Sequence, residues 1–458
     1  MKHCYLTLIL LLAATVTYAQ NKATLIDTML HRTNRLGLFK GNVMVVDKGK
    51  VIYKAPIGFT DASETQPLTT DYRFHIGSIA KEFNAVGIML LKEEGKLDLD
   101  DKVSKYLPQL PNWAEKISIR NLLQYTSGLP DVNWKTVRGD ADNMADLMKL
   151  TTLDFESGTH YAYNNNNVFL QRRIIEKISG MPFNKFVESK LLKPAGMSNS
   201  LVDPDDYTPL MAKSYDNNRK QGALIYPITG WTVVTLDDFY KWELALENFK
   251  LISPASTQIL VTPFSPGKQC GLGGGTMQGN QLVFHKHDGI SVQYQALLVG
   301  NKPKGRMVIL MSNNKQNNIF DIDNAIEDIL DGKPYVQPKK SILKDFQKQI
   351  DTLSGHQILA LYHKLKQTNP DEYGFSNETT LNEIGYSLMN AKNIDAAITV
   401  FEYNTTLFPQ SGNVFDSLGE AYLNKGDKAK ALANYKRSLQ LDPNNSTAKS
   451  VIEKLEVK

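Results

Sequence analysis

Cysteine is almost absent from this 458-residue sequence; only Cys4 and Cys270 occur. Cys4 lies in an N-terminal segment that reads as removable, and a single remaining thiol cannot close an internal disulfide. The fold must therefore rest on its core. No cysteine follows the N-terminal apolar run, which argues against a lipid-anchored lipoprotein. An excess of one charge is also missing: 52 basic and 48 acidic side chains leave a net charge of +4. Without a concentrated basic stripe, nucleic acid is not an expected partner. Past the N-terminus no apolar run approaches the roughly 20 residues that span a bilayer. What is present is ordinary: 42% apolar and 22% charged residues, enough for a large core. That composition excludes a disordered chain, and the length suggests two or three domains.

The first residues read as an export signal, 1–19. Lys2 and His3 precede an apolar run from Tyr5 to Val16, and Thr17-Tyr18-Ala19 offers small residues at both cleavage positions. Cleavage after Ala19 would leave Gln20 first, in a periplasmic or secreted protein with no membrane span. The alternative is an uncleaved anchor, for which the run is short.

Further on, 21–36 reads as a helix, and Asn42–Val46 and Lys50–Tyr53 as strands around the turn Asp47-Lys48-Gly49. Residues 74–251 are mostly helical patches. Strand character returns at Leu282–His285, Gln293–Val299 and Met307–Met311, followed by an amphipathic helix at Ile319–Leu330. Early and late strands most simply share one sheet, giving an α+β domain over 21–332 with a helical insertion. A linker with helices (333–376) comes next.

Residues 378–458 carry a repeat. Leu381, Ile384, Gly385, Leu388, Ala397, Phe401 and Pro409 recur 34 residues later as Phe415, Leu418, Gly419, Tyr422, Ala431, Tyr435 and Pro443. That is the tetratricopeptide period. Small residues let paired helices approach, large apolar ones interlock, and Pro ends the second helix. Two such units predict either a protein partner or support from neighbouring helices.

Three segments could carry chemistry. In Phe74-His75-Ile76-Gly77-Ser78-Ile79-Ala80-Lys81, Ser78 and Lys81 lie one helical turn apart. A serine hydroxyl needs an adjacent base, and a partly neutral lysine can serve. The bland alternative is a helix cap beside a solvated lysine. In Tyr161-Ala162-Tyr163-Asn164-Asn165, the Tyr163 phenol could relay a proton if cations lowered its pKa, and Asn165 could accept from Lys81. The alternative is a polar turn. In His287-Asp288-Gly289-Ile290, Gly289 would let a substrate backbone lie along a strand edge, and His287 would orient the phenol or a carboxylate. The alternatives are a satisfied buried histidine, or a metal site shared with His285. No third metal ligand has convincing spacing, so neither metal nor cofactor is expected.

Together, in this order, these segments resemble the serine β-lactamase and penicillin-recognising hydrolase family, in its class C-like branch. Leu122-Leu123-Gln124-Tyr125-Thr126-Ser127-Gly128-Leu129-Pro130, Lys193-Pro194-Ala195-Gly196-Met197, Gly95-Lys96-Leu97-Asp98-Leu99-Asp100-Asp101, the stretch from Gly230-Trp231 to Asp237-Asp238 and Gly271-Leu272-Gly273 fit as well. The resemblance implies an antiparallel sheet flanked by helices plus a helical subdomain. It implies Ser78 as nucleophile, Lys81 as its partner, Tyr163 as proton shuttle and Asn165 positioning Lys81 and the substrate amide. His287 stands where the family has Lys or His, and the backbone N–H groups of Ser78 and Ile290 would form the oxyanion hole. It implies acyl transfer to water on a small peptide or ester, with D-alanyl-D-alanine carboxypeptidase-like action as the first choice. Three departures count against efficient β-lactam hydrolysis: His287 replaces a lysine, Tyr125 a histidine and Gln293 a glycine. A class C-like β-lactamase, and a catalytically weak protein that binds partners through its repeats, remain the alternatives.

Overall fold

The computed structural model describes residues 21–224, 227–316 and 318–456, so the export signal lies outside the described residues. The chain divides into two compact units between Gln337 and Pro338.

The first unit is built on a six-stranded antiparallel sheet. A helix, α1 (21–35), leads into β1 (Gly41–Asp47) and β2 (Lys50–Ile57). The helical region contains α2 (Lys81–Glu93), α3 (Asn165–Ser179) and α4 (Leu236–Glu247). Strands β3 (Gly274–Gln278), β4 (Gln281–Ser291), β5 (Tyr294–Asn301) and β6 (Arg306–Ser312) follow, then α5 (Ile319–Leu330). The order across the sheet is β2-β1-β6-β5-β4-β3. The early hairpin thus joins the late strands through β1 and β6, from Gly41 opposite Ser312 to Val46 opposite Met307.

Side-chain parity explains why β1, β5 and β6 are apolar almost throughout. Val43, Val45, Leu297, Val299, Val308 and Leu310 face a layer formed with Ile26, Met29, Ile322 and Ile326 of α1 and α5. Met44, Val46, Ala296, Leu298, Met307, Ile309 and Met311 face the opposite layer with Phe83, Val86 and Trp242. A strand covered on both faces has no polar side to display. Cys270 is fully buried in this unit, and desolvation pushes its thiol up to about 11.

Two sequence expectations need correction. Strand β4 runs six residues past His285, through Lys286-His287-Asp288-Gly289-Ile290-Ser291. Its polar composition hid it, because its partners are buried polar groups rather than apolar ones. A small second sheet of Phe74–His75, Thr232–Val234 and Leu201–Val202 was also invisible, its strands being too short for a period to develop.

The second unit is helical: α6 (Ile342–Ile350), α7 (Gly355–Thr368), α8 (Thr379–Asn390), α9 (Ile394–Leu407), α10 (Gly412–Lys425), α11 (Lys428–Leu441) and α12 (Ser446–Glu456). The repeats are α8–α9 and α10–α11. One core joins Ile342, Ile358 and Tyr362 before them, Leu388 and Phe401 within them, and Ala448 and Ile452 after them. The pair is therefore supported by helices on both sides. A Cβ on Gly385 would stand 2.4 Å from the Phe401 ring, so this glycine sets the closeness of α8 and α9. Gly385→Ala should lower stability by about 1–3 kcal/mol through overpacking. Urea unfolding followed by far-ultraviolet circular dichroism measures it, and an unchanged midpoint would contradict this packing.

Candidate active site

Ser78 sits in a 3₁₀ turn, Gly77–Ala80, which runs into α2 at Lys81. Gly77 has φ +58°, and a Cβ there would lie 2.4 Å from the Ile290 backbone nitrogen. From the other side, a Cβ on Gly289 would lie 2.0 Å from the Ile76 carbonyl oxygen and 2.8 Å from the Ser78 nitrogen. The two glycines let β4 press against the serine turn, backbone to backbone. Gly289 thus admits a segment of the chain's own backbone. Its pairing with β3 ends at Gly274 opposite Lys286, so the β4 segment 287–291 meets the serine turn beyond the end of β3.

Lys81 Nζ is hydrogen-bonded to Ser78 Oγ at 2.8 Å. Lys81 is 6% exposed and makes no ion pair among the described residues. Desolvation, reinforced by the Arg172 cation and opposed by Asp131, lowers its pKa to about 7. Lys81 Nζ also lies 5.2 Å from the Tyr163 ring centre and 5.5 Å from that of Trp231.

Tyr163 stands beside Lys81, across from the Ser78 hydroxyl. Contrary to the expectation of a cation-lowered phenol, desolvation raises its pKa to about 12, with Asp288 and Asp131 adding to the rise. The resting group is a neutral phenol. Tyr125 is buried at φ +55°, and its ring lies 4.6 Å from that of Tyr163, as a wall beside it.

The asparagine run has a structural logic that composition concealed. Asn164 caps α3, accepting from the Asn167 N–H, and donates to the Leu129 carbonyl. The Asn165 N–H donates to Asp131 Oδ1 at 2.7 Å, and its Nδ2 reaches the same oxygen at 3.2 Å. Asn166 donates to the Pro130 carbonyl at 2.9 Å. Three consecutive asparagines thus bolt the Tyr163 loop to Leu129-Pro130-Asp131. Asn165 is held by Asp131 rather than by Lys81, a departure from the expected contact.

His287 also departs from expectation. It is 4% exposed, and its Nδ1–H donates to Glu82 Oε1 at 2.6 Å. A Cβ on Gly273 would lie 2.5 Å from its ring, and one on Gly271 would lie 2.7 Å from Ala85 and Leu260, which explains the glycines of Gly271-Leu272-Gly273. His285 Nε2 lies 3.1 Å from the same Glu82 oxygen, its Nδ1 lies 2.6 Å from Glu243 Oε2, and Trp242 Nε1 donates to Glu82 Oε2 at 2.6 Å. Burial pushes the Glu82 carboxyl up, but the two histidines outweigh it and hold it at about 2. For His285, the Glu243 and Glu82 carboxylates overcome desolvation and raise its pKa well above the usual value. Of the two histidines that share a strand face, His285 thus meets carboxylates through both ring nitrogens and His287 through Nδ1 alone.

A β-lactamase/transpeptidase-like fold with a half-buried serine bonded to a buried lysine at the start of a helix defines a class of serine hydrolase. A sequence model of the family described as Beta-lactamase matches residues 23–331, and one described as Tetratricopeptide repeat matches 413–445. The chain belongs to the beta-lactamase family of serine hydrolases. It is 28% identical to penicillin-binding protein 4* of Bacillus subtilis (strain 168), over 73% of this chain and 81% of that one. Among solved structures, a class C beta-lactamase superposes with a TM-score of 0.58 at 20% identity, covering 68% of this chain and 96% of that chain. The D-amino acid amidase from Ochrobactrum anthropi SV3 does so with a TM-score of 0.55 at 20% identity, covering 68% and 100%. These two likenesses concern the fold.

Gly289→Ala should cost about 1–3 kcal/mol, because its methyl group cannot fit against the Ile76 carbonyl without moving β4. Urea unfolding followed by tryptophan fluorescence tests this; a wild-type midpoint would show that the two segments are not in contact.

Proposed function

We propose that the protein is an exported hydrolase that cleaves a small peptide or ester through an acyl-enzyme on Ser78. The observation that carries this reading is the 2.8 Å contact between Ser78 Oγ and a buried lysine held near neutrality. A lysine with a pKa of about 7 is half neutral at the operating pH and can accept the serine proton.

In this mechanism Ser78 Oγ attacks the carbonyl carbon as its proton passes to Lys81 Nζ. The N–H groups of Ser78 and Ile290 stabilise the tetrahedral oxyanion; losing one such donor costs roughly 10²–10³ in rate. The neutral Tyr163 phenol donates to the leaving group and is re-protonated by Lys81, which carries the proton taken from Ser78. Water then attacks the acyl carbon by the same relay in reverse. Asn165, fixed by Asp131, presents its amide to the substrate.

The names of relatives, a penicillin-binding protein and a D-amino acid amidase, support a substrate built from D-amino acids, with D-alanyl-D-alanine carboxypeptidase-like action as the leading form. β-Lactam hydrolysis has less support, because a histidine, His287, stands where class C β-lactamases have a lysine, and its Nδ1 is bonded to Glu82. Export is supported by the apolar N-terminal segment that follows Lys2 and His3. The repeats support a protein partner.

A fluorophosphonate should label wild-type protein at Ser78, located by mass spectrometry, and leave folded Ser78→Ala unlabelled. Absence of label from folded wild type would defeat the hydrolase reading. Labelling rate should rise as pH increases through about 7, because the reactive form is neutral Lys81. Lys81→Ala should slow labelling by about 10²–10⁴-fold, the usual contribution of a positioned base. A flat pH profile would remove Lys81 from that role.

A further inference from the structure

The proposed chemistry uses Ser78, Lys81 and Tyr163 and leaves unused the most tightly bonded ionisable group beside them. Glu82 follows Lys81 directly on α2, and its side chain is fully buried. Three donors from two different elements converge on its two oxygens: His285 Nε2 and His287 Nδ1 of β4, and Trp242 Nε1 of α4. Hydrogen bonds to an ionised acceptor are roughly twice as strong as neutral ones. A buried carboxylate with this many donors fixes its neighbours rather than merely filling space.

The position of this link matters. Glu82 lies four residues from Ser78, about 6 Å along the helix axis. His287 lies three residues from Ile290, about 10 Å along the strand. The carboxylate therefore ties together the two segments that carry the oxyanion donors, just behind the point where they meet. At that point Gly77 and Gly289 contribute no side chains to lock β4 against sliding along the turn, while β4 itself is held in register with β5 from Phe284 to Ser291. A reacting centre is sensitive to such sliding, since a misplacement of about 1 Å costs on the order of 10² in rate.

We propose that Glu82 is a positioning residue which, acting through His287, sets the separation of the Ser78 and Ile290 N–H donors. This rests on Ser78 being the nucleophile. It also gives His287 a role: through Nδ1 the imidazole is a strut between helix and strand.

The test uses the full chain and p-nitrophenyl acetate as a reporter ester, with Glu82→Gln, His287→Gln and the double variant. Circular dichroism confirms folding in each. Benzeneboronic acid, which forms a tetrahedral adduct on an active serine, reads the oxyanion hole separately from substrate binding. Glu82→Gln and His287→Gln should each lower kcat by about tenfold to a hundredfold, with KM within about threefold of wild type. Boronate affinity should fall in parallel, and the double variant should be no worse than the more damaged single one, because both break one link. Wild-type kcat in folded variants, losses confined to KM, or losses that multiply in the double variant would overturn the proposal. Should the wild-type protein itself fail to label with fluorophosphonate, the nucleophile assignment fails first, and that result is separate from any effect of Glu82.

Discussion

The site depends on one close approach: the backbone of β4 at Gly289-Ile290 against the backbone of the turn at Gly77-Ser78. Neither side can carry a Cβ at the contact. All the candidate chemistry is arranged around it. The turn presents the serine hydroxyl, the helix it starts carries the lysine one turn on, and the strand brings a second N–H group alongside. Such an approach lacks the specificity of interlocking side chains. It is held instead by the pairing of β4 with β5 and by a buried carboxylate set back from it, while three asparagines fix the neighbouring Tyr163 loop.

The electrostatics follow from where water has been removed. Lys81 has hydrophobic and aromatic surroundings and no carboxylate in contact, so burial drives it toward neutrality. Glu82, the next residue, points the other way, into two histidines and an indole, and stays ionised. Adjacent residues on one helix thus hold opposite departures from the ordinary: a lysine that gives up its proton easily and a glutamate that never takes one. Helical geometry turns consecutive side chains about 100° apart, and the protein exploits that turn to separate a reactive face from a structural one.

Much of this was legible in the sequence. The Ser78–Lys81 spacing placed both groups on one helical face, and the 34-residue repeat gave the helix pairs with Gly385 and Gly419 at their crossings. The apolar runs of β1, β5 and β6 declared themselves because both faces of the sheet are covered. The far half of β4 did not, because a strand whose side chains answer buried carboxylates carries no alternating apolar signal. His287 was readable as a site residue but not its direction, since Glu82 is 205 positions away in sequence and nothing local announces the pairing. The asparagine run looked like a solvated loop because composition does not reveal that each amide has a specific carbonyl or carboxylate waiting for it.

The sheet order carries a consequence for how the chain is made. Strand β1 hydrogen-bonds to β2 on one side and to β6 on the other, and β6 ends at Ser312. During synthesis the first hairpin therefore emerges with an apolar edge whose partner is more than two hundred residues from existing. Non-local pairing of this kind is slow to form and exposed to aggregation in the interval. The helical region between must be made, and at least loosely gathered, before the sheet can close. The six-stranded sheet is consequently a late event in the life of the chain, and any factor that shields Val43 to Val46 until then decides how much of it folds.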